Sequence, residues 1–309
     1  MNHMLEFKAM GCRMVALVDS PSESRPALLD QLPAWFETWE QCLSRFRPTS
    51  ELNLVNNSTG WPVQVSETFW QVLQAALLAE RNSAGLVTPA VLRALVSAGY
   101  DQSFADLPRE QESGPANAWL SAGRLAEVSM DEATHSICLP TDMQLDFGGV
   151  AKGWAADQAA RRLASAGPAI VSAGGDVAIS GTQRDGSPWE VGVDDPFDAQ
   201  ACVEVLMVGK GGVASSGTDY RRWKQGGRWM HHIIDPRSGL PAQSDVLTAT
   251  VIAPDALQAE MAAKVALISG SRGGMDWLEE RPELAGLLIL ESGELLYSKR
   301  MEAFLWRQA

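Results

Sequence analysis

The sequence predicts an α+β fold built as one unit, and three observations point to it. Strand-like and helical patterns alternate along the whole chain. No internal repeat, low-complexity tract or Pro/Gly/Ser linker divides it. The 309 residues are 46% hydrophobic and 20% charged, the balance of a globular protein. Domains of roughly 100–200 residues leave room for two intertwined lobes within the single unit 1–309.

The elements follow in order. Residues 7–19 hold the apolar run from Met14 to Val18 and read as a strand. Residues 26–45 repeat Leu28, Leu29, Leu32, Trp35, Phe36, Trp39 and Leu43 at three- and four-residue steps, an amphipathic helix whose aromatics face a core. Ser50 caps a short helix, and Ser66 opens a second amphipathic one over 66–84 that Gly85 ends. Residues 101–123, with Asp106, Pro108, Glu112, Gly114 and Pro115, read as a surface insertion. A strand at 136–139 leads through Leu145-Asp146-Phe147 into a glycine turn and an Ala-rich helix that runs to Ala166. Residues 168–179 form a strand broken at Gly174-Gly175-Asp176. Strands follow at 189–193, 203–208 and 247–253, then a helix over 256–269 and short strands at 287–290 and 295–297.

Charge and cysteines narrow the function classes. Lys+Arg 25 against Asp+Glu 38 gives a net charge of −13, a surface that repels nucleic-acid backbones and anionic membranes. It leaves room for one small anionic ligand at a local cluster of donors. Cys12, Cys42, Cys138 and Cys202 form no C-x-x-C pair and read as thiols of a reducing compartment. Ala9-Met10-Gly11-Cys12 mimics a lipoprotein cleavage site, but Glu6 and Lys8 interrupt the apolar stretch such a leader needs. No run approaches the roughly eighteen apolar residues of a membrane span. A cytoplasmic protein is expected.

Three stretches carry chemistry. In Asp146-Phe147-Gly148-Gly149-Val150-Ala151-Lys152-Gly153 a strand, a glycine turn and a helix start follow one another. That order can present backbone N–H groups to a phosphate, with Lys152 as a cation and Asp146 as an acceptor. It matches neither the dinucleotide nor the nucleoside-triphosphate loop. On spacing alone, anion binding and a structural turn both stay open. Ala173-Gly174-Gly175-Asp176 is a second glycine turn. The third stretch, from Ser215 to Gly239, holds His231-His232 three residues before Asp235. Adjacent histidines on a strand point to opposite faces, so they are no chelating pair. One histidine serving as general base beside a structural or exposed one, and a polar hairpin without chemistry, both stay open.

In this order, these pieces resemble the ApbE family, the FAD:protein FMN transferases. The resemblance rests on Met10-Gly11-Cys12, on 43–52, on 146–157, on Gly174-Gly175-Asp176, on Ser216-Gly217, on His231 to Pro236 with Gly239, and on Ala259-Glu260. It implies a T-fold-like, two-lobed unit of mixed, mainly antiparallel sheets with packed helices. It also implies FAD as donor substrate, with the pyrophosphate held by Mg²⁺. A Thr or Ser hydroxyl of an acceptor protein attacks the flavin-side phosphorus, and AMP leaves. By position it assigns FAD contacts to Met10, Phe46, Leu86, Val87, Thr88, Asp146, Gly149, Lys152, Asp157, Gly175 and His231. Metal ligands fall at Gly149, Ala151 and Glu260, and the reacting groups at His232, Asp235 and Lys264.

The chain departs from the family pattern in places. Val87-Thr88-Pro89-Ala90 stands where the family usually has a Phe-Asp-Pro-Thr-type run. Glu260 and Lys264 occupy the positions where the family places the Asp and Thr that bind metal. A glutamate is a hard oxygen ligand one methylene longer, and a protonated lysine cannot coordinate at all. Lys264 is expected to take part of the metal's charge. The alternative is a chain that binds FAD, or hydrolyses it to FMN and AMP, without labelling a protein.

Overall fold

The structure is a computed structural model that describes residues 1–112 and 123–307. The chain divides into two units: Met1–Phe36 with Lys152–Gly217 and Ser244–Ala309, and Glu37–Ala151 with Thr218–Gln243. Both are α+β, with mainly antiparallel sheets.

In the first unit one sheet has eight strands, in the order Asn2–Ala9, Cys12–Asp19, Ala169–Ala173, Asp176–Ile179, Gly211–Gly217, Val246–Ala253, Ala285–Leu290 and Leu295–Tyr297. Every neighbouring pair is antiparallel. The stretch read as a strand over 7–19 is a hairpin whose first arm reaches back to Asn2. Its two-residue turn is Met10-Gly11, with φ of 49° and 66°. That left-handed pair matches the twist of the flanking strands, and Met10 concealed it because only Gly11 announces a turn. One side of the sheet buries Ile170, Val177, Val213, Ile252, Leu287 and Ile289 with Trp189, Val193 and Leu206 of the 189–208 hairpin.

The helix Ala256–Glu279, broken at Gly270, packs on four strands of the sheet. Two glycines permit its close approach. A Cβ on Gly212 would lie 2.2 Å from the Ala256 nitrogen. A Cβ on Gly153 would come within 2.9 Å of the Ala256 carbonyl, the Leu257 Cα and Glu260 Oε2. The helix Ala151–Leu163, which carries Gly153, therefore sits against the start of the Ala256 helix.

The second unit holds the helices Glu51–Asn57 and Glu67–Asn82, whose starts are fixed by Ser50 and Ser66 accepting from the Asn53 and Phe69 amides. A further helix, Leu92–Ser97, is not announced by the sequence, because six residues are too few to show a period. The buried Asn56 side chain replaces a strand partner for Leu145. Its Nδ2 donates to the Leu145 carbonyl at 2.8 Å, and its Oδ1 accepts from the Leu145 amide at 2.7 Å. This clamp fixes the run that enters the glycine turn. Strands Arg222–Gln225 and Arg228–His231 form a hairpin, joined in parallel by Glu110–Gln111. They cover a core of Leu95, Tyr100, Leu107, Trp223, Met230 and Ile234. Within the segment expected as a surface insertion, Leu107 is thus buried and Glu110–Gln111 is a strand; residues 113–122 lie outside the described residues.

Candidate functional site

In the first unit the glycine-turn helix and the Ala256 helix cap each other. The Ala256 and Leu257 amides donate to the Asp157 carboxylate at 3.0 and 3.1 Å. In return the Gly153 amide donates to Glu260 Oε2 at 3.0 Å. Four N–H groups at each helix start need acceptors, and carboxylates there also meet the positive end of the helix dipole. Asp157, expected at the cofactor, thus serves the neighbouring helix, and the Gly153 amide is taken by a carboxylate of this chain.

Burial pushes the Asp157 carboxyl up to about 6, helped by nearby Asp255 and opposed by the two amides. The folded state then keeps a proton that the unfolded chain releases near 3.8, so stability falls as pH rises from about 4 to about 6. The span corresponds to at most about 3 kcal/mol. Melting curves of the protein and of Asp157→Asn across that range should show the parent losing ground to the variant with rising pH. A constant gap between the two would refute the raised value.

Around Glu260 four charges meet. Lys264 Nζ lies 3.0 Å and Lys152 Nζ 3.5 Å from Glu260 Oε1, and Lys152 also pairs closely with Asp176. The carboxylates are 1% and 2% exposed, and the ammoniums of Lys264 and Lys152 belong to side chains 15% and 17% exposed. Burial alone would raise the Glu260 carboxyl, but the charges of Lys264 and Lys152, the Lys264 hydrogen bond and the Gly153 amide outweigh it and hold it below the usual carboxylate range. Asp176 directly follows the Gly174-Gly175 turn. The Gly174 amide donates to the Arg13 carbonyl at 3.1 Å, so this turn lies beside the one at Met10-Gly11. Met10, Gly175 and Lys152 therefore gather at one end of the sheet.

The residues expected to hold Mg²⁺ do not fit it. Both Glu260 oxygens already accept from cationic or amide donors. At an effective dielectric near 20, a dication about 4 Å from an ammonium meets about 8 kcal/mol of repulsion, and here two ammoniums share one carboxylate oxygen. Gly149 lies in the turn of residues 148–150 and Ala151 opens the helix, so neither offers a side-chain ligand. Among the described residues no three His, Cys, Asp or Glu side chains converge as a metal site.

The second unit gathers other expected residues around one arginine. Arg45 pairs with Asp146 at 2.5 Å, donates to the Tyr100 carbonyl at 2.8 Å, and lies 4.0 and 4.7 Å from the Phe46 and Tyr100 ring centres. Asp146 also accepts from the Gly148 amide at 2.7 Å, which shapes the glycine turn. The Asp146 amide donates to the Pro89 carbonyl at 2.8 Å and so brings the 86–89 loop alongside. Val87 and Thr88 are buried, with the Thr88 hydroxyl accepting from the Ala90 amide, whereas Leu86 is half-buried and Phe46 is 40% exposed. The residue that sequence reasoning missed is Arg45. Its signal was its place beside Phe46 in a run already singled out, but its partner lies about a hundred residues away.

The two histidines separate by role. His231 Nε2 meets the Ala242 carbonyl at 3.0 Å and Nδ1 accepts from the Ile233 amide at 3.3 Å. Together these contacts fix a neutral ring with its proton on Nε2. Burial lowers its pKa, partly offset by the Ala242 carbonyl. His231 thus organises the turn and cannot take up a substrate proton without breaking it. His232 follows at the end of the strand, half-buried. The Asp235 carboxylate is engaged by the Arg237 amide and guanidinium at 2.8–3.2 Å. Burial would raise it, but those Arg237 contacts hold it below the usual range. It builds the Asp-Pro-Arg-Ser-Gly turn, whose Gly239 amide returns to the Asp235 carbonyl at 2.8 Å.

The large antiparallel sheet with the Ala256 helix packed on it belongs to a fold shared with solved flavin transferases. The structure matches that of the ApbE protein from Thermotoga maritima with a TM-score of 0.89 at 25% identity, over 99% of this chain and 100% of that one. The chain belongs to the ApbE family, which matches residues 10–288. A Klebsiella pneumoniae protein named FAD:protein FMN transferase is 29% identical over 94% of this chain and 89% of its own length. A Treponema pallidum protein of the same name is 28% identical over 90% and 81%. The fold is also that of the flavinyl transferase ApbE of Pseudomonas stutzeri, with a TM-score of 0.82 at 21% identity over 100% and 98% of the two chains.

Proposed function

We propose that this protein transfers FMN from FAD to a Thr or Ser hydroxyl of an acceptor protein and releases AMP. The observation that carries the reading is family membership across residues 10–288, with relatives named for this reaction. The acceptor oxygen attacks the flavin-side phosphorus. As that P–O bond forms, the bond to the AMP phosphate breaks and AMP departs with its electron pair. His232 accepts the hydroxyl proton, since the neighbouring imidazole is fully engaged by Ala242 and Ile233. Asp235 holds the turn that carries His232, and the Lys152 and Lys264 ammoniums supply positive charge for the phosphoryl oxygens. Phe46, Leu86 and Asp146 with its Arg45 partner support flavin binding. A cytoplasmic location goes with this reading, supported by four cysteines that are all thiols.

One observation favours a second reading. Two ammoniums crowd the position where the family binds metal. A chain altered there could hold FAD, or pass its phosphorus to water, without labelling a protein. Incubation with FAD and an acceptor bearing a flavinylation motif should give a fluorescent protein band and one AMP per label. AMP without label identifies a hydrolase. Neither product identifies a binder, and in both cases the transferase reading falls.

A further inference from the structure

We propose that this chain engages the pyrophosphate of its flavin donor through the ammoniums of Lys264 and Lys152, with no divalent cation, a proposal that rests on the flavin-donor reading above. Three observations in the first unit converge on it.

The first is layering. Glu260 and Asp176 are 1% and 2% exposed, and the two lysines that pair with them are 15% and 17% exposed. The carboxylates lie behind the ammoniums, so an anion arriving from solvent meets positive charge first. A metal site has the opposite arrangement, with oxygens turned outward.

The second is occupancy. Glu260 Oε1 takes both ammoniums, and Oε2 takes the Gly153 amide that holds the two helices together. A divalent ion could use this carboxylate only by displacing a lysine or breaking the reciprocal cap. Its octahedral shell would also find no further side-chain oxygen on the Ala256 helix at the Lys264 position.

The third is donor supply. An ammonium has three donors, and Lys264 spends two on Glu260, at 3.0 Å on the carboxylate and 3.5 Å on the backbone carbonyl. Its third serves an oxygen coming from solvent. At Gly11 and Gly175 of the adjacent turns, nothing beyond their chain neighbours among the described residues lies within 4 Å of where a Cβ would stand, so the backbone there is open to a close-lying ligand. Lysine is a point charge with rotatable donors, suited to a phosphate whose geometry changes during reaction.

The test is binding of FAD to the full chain, followed by flavin fluorescence and calorimetry. Dissociation constants in EDTA and in excess Mg²⁺ should agree within about a factor of two. Lys264→Met should weaken binding in EDTA by about tenfold or more, the loss of one charge-assisted hydrogen bond, and Lys264→Arg should restore most of it. An affinity that rises tenfold with Mg²⁺ overturns the ammonium proposal and leaves the flavin-donor reading standing. So does a folded Lys264→Met protein that binds as tightly as the parent. Absence of FAD binding in both buffers overturns the flavin-donor reading and this proposal with it. If Lys264→Met fails to fold, the comparison of EDTA with Mg²⁺ on the unaltered protein decides alone.

Discussion

Glu260→Ala is expected to destabilise the protein by about 3–5 kcal/mol, the cost of breaking a buried ion pair by removing one partner. The variant leaves the Lys264 ammonium with only a backbone carbonyl of its own helix, strips Lys152 of its second carboxylate and orphans the Gly153 amide. The effect should appear as a fall in melting temperature on the order of 10 °C. Removing the pair together should cost less than removing the carboxylate alone. Glu260→Met combined with Lys264→Met takes away both charges while keeping their volume, and such exchanges are often close to neutral. Only the Gly153 amide then stays unsatisfied, at about 1–3 kcal/mol. If the double variant melts below Glu260→Ala, the cluster is held by packing and not by its charges. The same experiment separates stability from binding, since the double variant should fold well and bind FAD poorly.

How far the sequence reveals this arrangement depends on how local each feature is. Ser50 and Ser66 act on amides three residues away, so both helix starts were readable from the chain. Gly148 and Gly149 before an Ala-rich run announced the turn and helix correctly. The Met10-Gly11 hairpin and the Leu92–Ser97 helix escaped, one because Met10 adopts a left-handed φ that its side chain does not advertise, the other through shortness. The reciprocal caps could not be read at all. Asp157 and Ala256 are separated by 99 residues, and Glu260 and Gly153 by 107, so each carboxylate looked like a ligand until its partner was in view.

The same distinction governs the charged residues. A Glu–Lys pair four apart reads as a surface pair worth a few tenths of a kcal/mol. What changes its meaning is the arrival of Lys152 from another helix and Asp176 from a strand, which buries the pair in a neutral four-charge cluster. The departure at Lys264 was visible in the sequence; the reason a metal does not fit became visible only with the contacts around Glu260. Arg45 is the converse case. Nothing nearby in the chain predicts that it must neutralise Asp146, and the pair, once buried, fixes the entrance to the glycine turn.

His232→Ala should reduce FMN transfer by about 10²–10⁴-fold, the usual contribution of a general base, with little change in melting temperature. His231→Ala should do the reverse. It removes the ring that bridges the Ala242 carbonyl and the Ile233 amide, which costs about 1–3 kcal/mol, while transfer measured well below the melting point stays within about tenfold of the parent. The pH dependence separates them further. The His231 pKa is lowered in the folded state, so the unfolded chain binds the proton more readily. Stability from this residue is therefore complete above about pH 6.5 and declines as pH falls below that value. His231→Ala should lose this acid-side decline, whereas His232→Ala should retain it. Near-normal transfer by His232→Ala would remove it as the base. A large rate loss in His231→Ala with unchanged stability would reverse the two roles, because an imidazole locked on both nitrogens can take a proton only after leaving the turn it holds.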